Sequence, residues 1–507
     1  MYKKEEYQVI KNRMEEPRKF LQVIMGPRQV GKTTVVTQVL RDTDIPYLFH
    51  SADDLKANDA SWISNQWDAI RAWKDNKGYD SAVLVIDEIQ KIKNWSEVVK
   101  KEWDDDTFHN RNIKVFLLGS SRVLLEKGLS ESLMGRYEEI RMTHWSYTEM
   151  KECFGFTPEQ YLFFGGYPGA ATLTEDKDRW TQYIQTSIIG ATINKDILMD
   201  TQVRNTPLLE QVLRQGAFYS GKLLSGNKMQ ANLKVTGNVD TIQNYTTLLK
   251  ESGLLLGLQK YANDNARVKA SIPKYQVFNN ALKTANTPIT FEQALLDREK
   301  WGEIFESGVG AWLVSMGFKH NFDVYYWRNN KGEEVDFVLR RNKFLIAIEV
   351  KSNNEKTTEG LKTFKEQYKP DKAFIVGREG IPIKEFLTMD INKLFEDNIK
   401  ENCSPLKRNN KIIALEKETA DFLTENITGN GLHTGIRWTE DALGELWIEL
   451  RRLNTDGSLS EKDMMSEEAK NILQYAKPRL VERMEDKLNE LSNNIAHIAA
   501  KLMERGV

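Results

Sequence analysis

Only two cysteines, Cys153 and Cys403, occur in 507 residues, far apart and outside any CxxC spacing. That excludes a disulfide framework and a cysteine-built zinc site, and a reducing compartment fits best. Neither sign of charge is in surplus, since the formal net charge is -2 at pH 7. A uniformly basic nucleic-acid-binding coat is thereby excluded, and only a local basic groove could serve that purpose. Long apolar runs are missing as well. No window approaches the roughly 18 uninterrupted apolar residues that mark a membrane span. The opening MYKKEEYQVI carries charges where a secretory leader needs an apolar stretch. The expectation is a cytoplasmic protein without membrane contact. Hydrophobic residues make up 40% and charged residues 28%, which is ordinary for a folded chain, and the length suits about three domains of ~150 residues.

The most informative stretch is LQVIMGPRQVGKTTVVTQVL, where an apolar run ending at Met25 predicts a buried strand and the residues after Gly31 predict a helix. Between them stand Gly26, Pro27, Arg28, Gln29, Val30, Gly31, Lys32, Thr33 and Thr34, the spacing GxxxxGK[ST]. Phosphates need this arrangement. The glycines let backbone N–H groups face a β-phosphate, the helix N-terminus adds positive potential, Lys32 neutralises β/γ oxygens, and the Thr33 hydroxyl reaches Mg²⁺. ATP with Mg²⁺ is the expected ligand.

A second run, SAVLVIDEIQ, predicts a strand buried on both faces from Val83 to Ile86, delivering Asp87 and Glu88 at its C-terminal end. Asp87 would hold Mg²⁺ and Glu88 would polarise the attacking water. KVFLLGSSRVLL predicts a third buried strand, Val115 to Leu118, followed by Ser120 and Ser121, whose hydroxyls could orient water. In SLMGRY, Arg136 is either an arginine finger, in its own subunit or toward a neighbour, or one half of a surface salt bridge.

Together GPRQVGKTT, VLVIDEIQ, LLGSS, ESLMGRYEEI and FFGGYPGA resemble the bacterial and archaeal AAA+/STAND-like ATPase family with a C-terminal restriction-endonuclease-like domain, over residues of about 15 to about 390. The resemblance implies finger or sensor roles for Arg136 and Ser121. HWSYTEM departs from it, with Trp145 in a turn that the family often builds with proline.

Between about 155 and 300 the pattern is helical, with GGYPGA as a break between the ATPase core and a lid. A helix is expected from near Asp240 to Gly253, with Ile242, Tyr245, Leu248 and Leu249 on one face and a strand, LLLGLQ, after it. This order resembles the winged-helix element of the same family. Gln243, Asn244 and Lys250 could read DNA, but Asp240 and Glu251 stand beside them, and a purely architectural role is the alternative.

EKWGEIFESGVGAWLVSMG predicts a helix whose apolar face carries Trp301, Ile304, Phe305, Val309 and Trp312, with Glu306 close to that face. VYYWRNNKGEEVDFVLRRNKFLIAIEVKS predicts three strands turning at 329–332 and 340–342. Glu349 and Lys351, two apart, share one face of the last strand, and Asp336 comes from its neighbour. Converging carboxylates repel unless a divalent cation neutralises them, so Asp336 and Glu349 would hold Mg²⁺ or Mn²⁺, Glu306 would complete the ring, and Lys351 would activate water. Lys351 is the only other cation that this spacing offers. Helix-Glu, strand-Asp and ExK resemble the PD-(D/E)xK nuclease pattern, with Val335 where that pattern has proline. The resemblance implies either DNA or RNA cleavage or a docking module that has lost it.

Past residue 395, ENCSPLKRNNK has the polar character of a linker. Pro478 suits a helix start, and Leu480, Met484, Leu488, Leu491, Ile495, Ile498 and Leu502 then make one apolar stripe, for packing within the chain or for a protein partner or second copy. The expected architecture is α/β: a P-loop parallel sheet in 1–154, a helical lid in 155–215, a winged-helix-like region in 216–294, a separate restriction-endonuclease-like domain in 295–395, and a linker with a helical tail in 396–507. Two functions suit it. One is a Mg²⁺-dependent ATPase that couples nucleotide state to a nuclease-like module acting on nucleic acid. The other is a STAND-type regulatory or scaffold ATPase whose C-terminal modules only bind partners.

Overall fold

Five short runs become one fully parallel sheet in the computed structural model: β1 (Leu21–Met25), β2 (Tyr47–Ser51), β3 (Ala82–Asp87), β4 (Ile113–Gly119) and β5 (Tyr137–Arg141). Their order is β2-β3-β4-β1-β5. The structure describes residues 2–396, apart from 55–58, 121–128, 130–131, 199–202, 234–236, 263–270, 353–358 and 378–379. The tail and its apolar stripe therefore lie outside the described residues, as does Ser121.

β1, β3 and β4 are buried along their whole length. Helices cover both faces, which is why these strands read as continuous apolar runs rather than as alternation. Ile24, Val85 and Phe116 meet Ile10 and Met14 of α1 (Glu5–Glu15) and Val35, Val36 and Val39 of α2 (Lys32–Arg41). On the other face Val23, Leu84 and Leu117 meet Ile63 and Trp67 of α3 (Ser61–Lys77) and Val99 and Trp103 of α4 (Trp95–Phe108). Because β4 inserts between β1 and β3, the C-terminal ends of these three strands lie side by side. In open parallel sheets that edge is where ligands bind.

After helices Tyr147–Phe154 and Pro158–Phe164, a helical stretch includes π-helical turns over Ile184–Gly190 and Ile193–Ile197. Three helices follow, Thr206–Phe218, Gly226–Asn232 and Val239–Glu251, and then an antiparallel hairpin of β6 (Leu255–Leu258) and β7 (Lys274–Val277). The first of these helices runs into the segment where a winged-helix-like region was expected, and the other two and the hairpin lie within it. Ile242, Tyr245 and Leu249 are the buried face of the third helix.

The long helix Arg298–His320 leads into β8 (Asp323–Arg328), β9 (Glu334–Arg341) and β10 (Phe344–Lys351), then a helix Glu359–Tyr368 and β11 (Lys372–Gly377). The sheet order is β11-β10-β9-β8, with β10 and β11 parallel and the other pairs antiparallel. The segment expected as a domain at 295–395 shares its apolar core with the preceding segments. Phe337 and Ile348 share one apolar core with Val309 of the long helix, Leu162, Leu213 of the helix Thr206–Phe218 and Leu249 of the helix Val239–Glu251. The reason is that β9 and β10 are apolar on both faces. Val335, Val338 and Ala347 are covered by Phe364, so the opposite face needs cover from the preceding modules. The hairpin also joins this sheet at its edge, where the Tyr261 N–H donates to the Tyr326 carbonyl at 2.7 Å.

Candidate functional site

At the end of β1 the loop turns through Gln29 at φ 60° and Gly31 at φ 95°, the left-handed values that make glycine the fitting residue at 31. Val30 is buried and its carbonyl accepts from the Trp145 indole at 3.1 Å. Trp145 thus braces the loop, and this explains an aromatic in that turn. Lys32, buried at the start of α2, donates to the loop carbonyls of Gly26 and Pro27 at 2.8 and 2.9 Å. Thr33 and Thr34 occupy the exposed first turn of α2. The Thr33 hydroxyl donates to Asp87 Oδ2 at 2.7 Å. This hydroxyl–carboxylate pair beside a loop lysine is the donor set that octahedral Mg²⁺ takes alongside phosphate oxygens, so Thr33 and Asp87 fit that ion.

Burial raises the Asp87 carboxyl above its usual range, while the Thr33 hydrogen bond and the Lys32 charge pull it back. Glu88 sits at φ 53°, a turn that carries its side chain off the strand axis. Its Oε2 accepts from Gln90 Nε2 at 2.6 Å and from Ser120 Oγ at 3.1 Å, and the Arg28 guanidinium lies 4.0 Å away. Ser120, rather than Ser121, is thus the described hydroxyl that meets Glu88. Gln90 escaped sequence reasoning because a glutamine two residues past an acidic pair carries no signal of its own.

Arg136 does not join this group. Its carbonyl accepts from the Leu21 N–H, at the start of β1, and five strand residues at ~3.3 Å each put that end about 16 Å from the loop. Its guanidinium grips Asp104 with two bonds of 2.8 and 3.1 Å. In this structure Arg136 therefore lies away from the phosphate loop of its own chain.

Two other modules touch the phosphate loop. Gln29 donates to the Ser187 carbonyl at 2.9 Å and accepts from the Tyr183 hydroxyl at 2.6 Å. Gly253, just past the helix Val239–Glu251, packs so closely that a Cβ there would lie 2.6 Å from the Pro27 ring, and its φ is 69°.

The second constellation is assembled as the spacing predicts, with one addition. Asp336 on β9 and Glu349 on β10 are buried, and Glu306 faces them from the long helix. Asp336 Oδ2 accepts from the Val350 N–H at 2.8 Å, and Lys351 meets Glu349 Oε1 at 2.9 Å. The addition is Lys274 on β7, whose buried ammonium lies 2.5 Å from Glu306 Oε1 and 3.5 Å from Asp336 Oδ1. The expectation that Lys351 is the only nearby cation is therefore overturned. Burial works against the charge of Lys274, but Glu306 and Asp336 outweigh it and raise its pKa. Burial, with Asp336 nearby, pushes both Glu306 and Glu349 up to about 7.

In this structure the carboxylates of the cluster are held by protein cations and a backbone N–H. Among the described residues no three His, Cys, Asp or Glu side chains stand together as a cage for one ion. Asp336 is committed to a backbone N–H and Glu306 to a lysine. Sequence reasoning missed Lys274 because it sits in the strand SIPKYQV, 32 residues before Glu306 in the numbering, where no spacing rule connects it to the cluster.

Residues 18–151 match the family model described as an AAA domain, while 156–293 and 301–388 match models described as domains of unknown function, DUF8612 and DUF4143. The loop, the strand order and this match make the N-terminal part a P-loop ATPase-type domain. An uncharacterized protein of Haemophilus influenzae is 22% identical over 385 residues, 71% of this chain and 89% of the relative. One of Methanocaldococcus jannaschii is 23% identical over 426 residues, 74% and 85%. A Walker-type ATPase of Pyrococcus abyssi aligns with 56% of this chain and 95% of its own, at 15% identity and a TM-score of 0.41. Among the described residues no helix is long and apolar enough to cross a membrane.

Proposed function

We propose that this protein binds and hydrolyses ATP with Mg²⁺ and acts as a nucleotide-controlled switch on its winged-helix and α/β modules. The observation that carries this reading is the double anchoring of the phosphate loop, to Tyr183 and Ser187 through Gln29 and to Gly253 through Pro27. A loop that must rearrange around phosphates cannot do so without disturbing both contacts.

The ammonium of Lys32 now satisfies itself on loop carbonyls. Phosphate oxygens offer it charged acceptors instead, which form stronger hydrogen bonds than neutral ones. Thr33 and Asp87 would hold Mg²⁺, which neutralises charge on the β- and γ-oxygens. Glu88 is the base for the attacking water, held in position by Ser120 and Gln90. Arg136, turned away from its own loop, could reach a neighbouring copy. Calorimetry with ATP and a phosphate-release assay on wild type, Lys32→Ala and Glu88→Gln test the reading. It expects lost binding in the first variant and retained binding without turnover in the second. Wild-type affinity in Lys32→Ala would sink it.

Action on DNA or RNA is a second reading. A polar cavity of about 470 Å³, lined in part by Arg141, Lys250, Arg340 and Arg341, favours it, since clustered cations suit phosphate backbones. Turnover stimulated by single- or double-stranded DNA or by RNA would support it, and turnover indifferent to all three would remove it.

A further inference from the structure

We infer that Lys274 is the resident cation of the Glu306–Asp336–Glu349 cluster, standing where a divalent metal would otherwise neutralise it, so that the cluster is an internal staple between hairpin and α/β sheet. Three facts converge on this. The ammonium sits between two of the three carboxyl groups, 2.5 and 3.5 Å from them, and also donates to the Asp336 carbonyl at 3.3 Å. Its own strand is fixed on both sides, because Lys274 pairs with Leu258 of β6 and bridges to Leu223. The neighbouring bonds from Tyr275 N to the Lys222 carbonyl and from Leu224 N to the Pro273 carbonyl hold that register. The register fixes where the Lys274 stem starts, and burial of the side chain keeps its ammonium among the carboxylates.

The third fact is the remaining lone oxygen. Glu349 Oε2 is buried without a hydrogen-bond partner. The other carboxyl oxygens named here answer to Lys274, Lys351 and the Val350 N–H, so an ion entering the cluster would compete with partners already in place. The cluster's lysine reaches the α/β sheet from the module whose helix ends against the phosphate loop at Gly253, so the staple places loop, hairpin and sheet on one continuous path.

The test uses the full-length protein without nucleotide, so that the phosphate loop contributes no phosphate-bound ion. Mn²⁺ binding is followed by electron paramagnetic resonance and thermal melting is measured with and without Mn²⁺, for wild type, Asp336→Asn, Lys274→Met and the double variant. The expected result is no difference in Mn²⁺ binding between wild type and Asp336→Asn. Lys274→Met should melt lower in the presence of a chelator, regain part of the loss with Mn²⁺, and lose that rescue when Asp336→Asn is added. A Mn²⁺ site in wild type that disappears in Asp336→Asn overturns the inference, and so does a Lys274→Met protein that melts like wild type in chelator. If Lys274→Met fails to fold, the wild-type and Asp336→Asn pair still decides, and Lys274→Arg should fold and melt near wild type because it keeps the charge.

Discussion

The chain carries two sites made of the same parts, acidic strand residues beside a lysine, and the lysines are used in opposite ways. At the phosphate loop Lys32 rests on backbone carbonyls and Asp87 on a hydroxyl, neutral partners that a charged ligand can displace. At the second cluster Lys274 of the hairpin rests on carboxylates, charged partners that an incoming ion displaces less readily than neutral ones. Residue types alone thus do not make a site. What matters is whether the partners present are weaker than the ligand that would replace them.

The largest effect expected from breaking this comparison is on turnover. Glu88→Gln should slow phosphate release by roughly 10²- to 10⁴-fold with ATP affinity kept, the range for a lost general base. On the other site, Lys274→Met should cost stability rather than activity, about 3–5 kcal/mol in chemical unfolding, because it strands buried carboxylates. Equal unfolding midpoints would mean that the staple contributes nothing. Lys32→Ala should weaken ATP binding by roughly a hundredfold, ~2.7 kcal/mol by calorimetry, while leaving the melting of the nucleotide-free protein nearly unchanged.

Acid sharpens the contrast from the loop side. His144 is fully buried near Lys4, against the edge of the Tyr167 ring, and burial and then the Lys4 charge lower its pKa from 6.5 to about 3. The folded protein keeps this imidazole neutral, whereas the unfolded chain takes a proton below pH 6.5. Stability should therefore fall as pH drops from 6.5 toward 3, by about 2 kcal/mol at pH 5 from this group alone. Unfolding curves of His144→Phe at pH 7 and pH 5 should show that part of the slope removed. The smallest effect belongs to Arg136→Ala. It loses a partly exposed ion pair with Asp104, under ~1 kcal/mol, and at protein concentrations that keep the chain monomeric its turnover should match wild type. A large loss there would return Arg136 to the reacting phosphate.

Local features were legible in advance where the physics is local. The phosphate loop, β3 with Asp87 and Glu88, β4, the helix beginning near Asp240 and the turns around β9 follow from runs, spacings and turn residues within one short window. The convergence of Glu306, Asp336 and Glu349 was legible too, since strand alternation fixes which side chains share a face. Partners distant in sequence were not. Lys274 enters the cluster through a hairpin register, Gln29 meets Tyr183 across 154 residues, and Arg136 pairs with Asp104 because β5 starts at the far end of the sheet. Such contacts depend on how modules pack, and the packing here follows from sheet faces that are apolar on both sides.

The π-helical turns at Ile184–Gly190 bear on how a nucleotide signal could travel. Such turns hold one residue more than the neighbouring α-helix can absorb, and they occur in short pieces because the wider ring of bonds is poorly packed. The Ser187 carbonyl that receives Gln29 lies inside this segment. If that bond is released, the bulge can migrate along the helix one residue at a time. Each step would rotate the residues it passes by about 100°, the angular pitch of an α-helix.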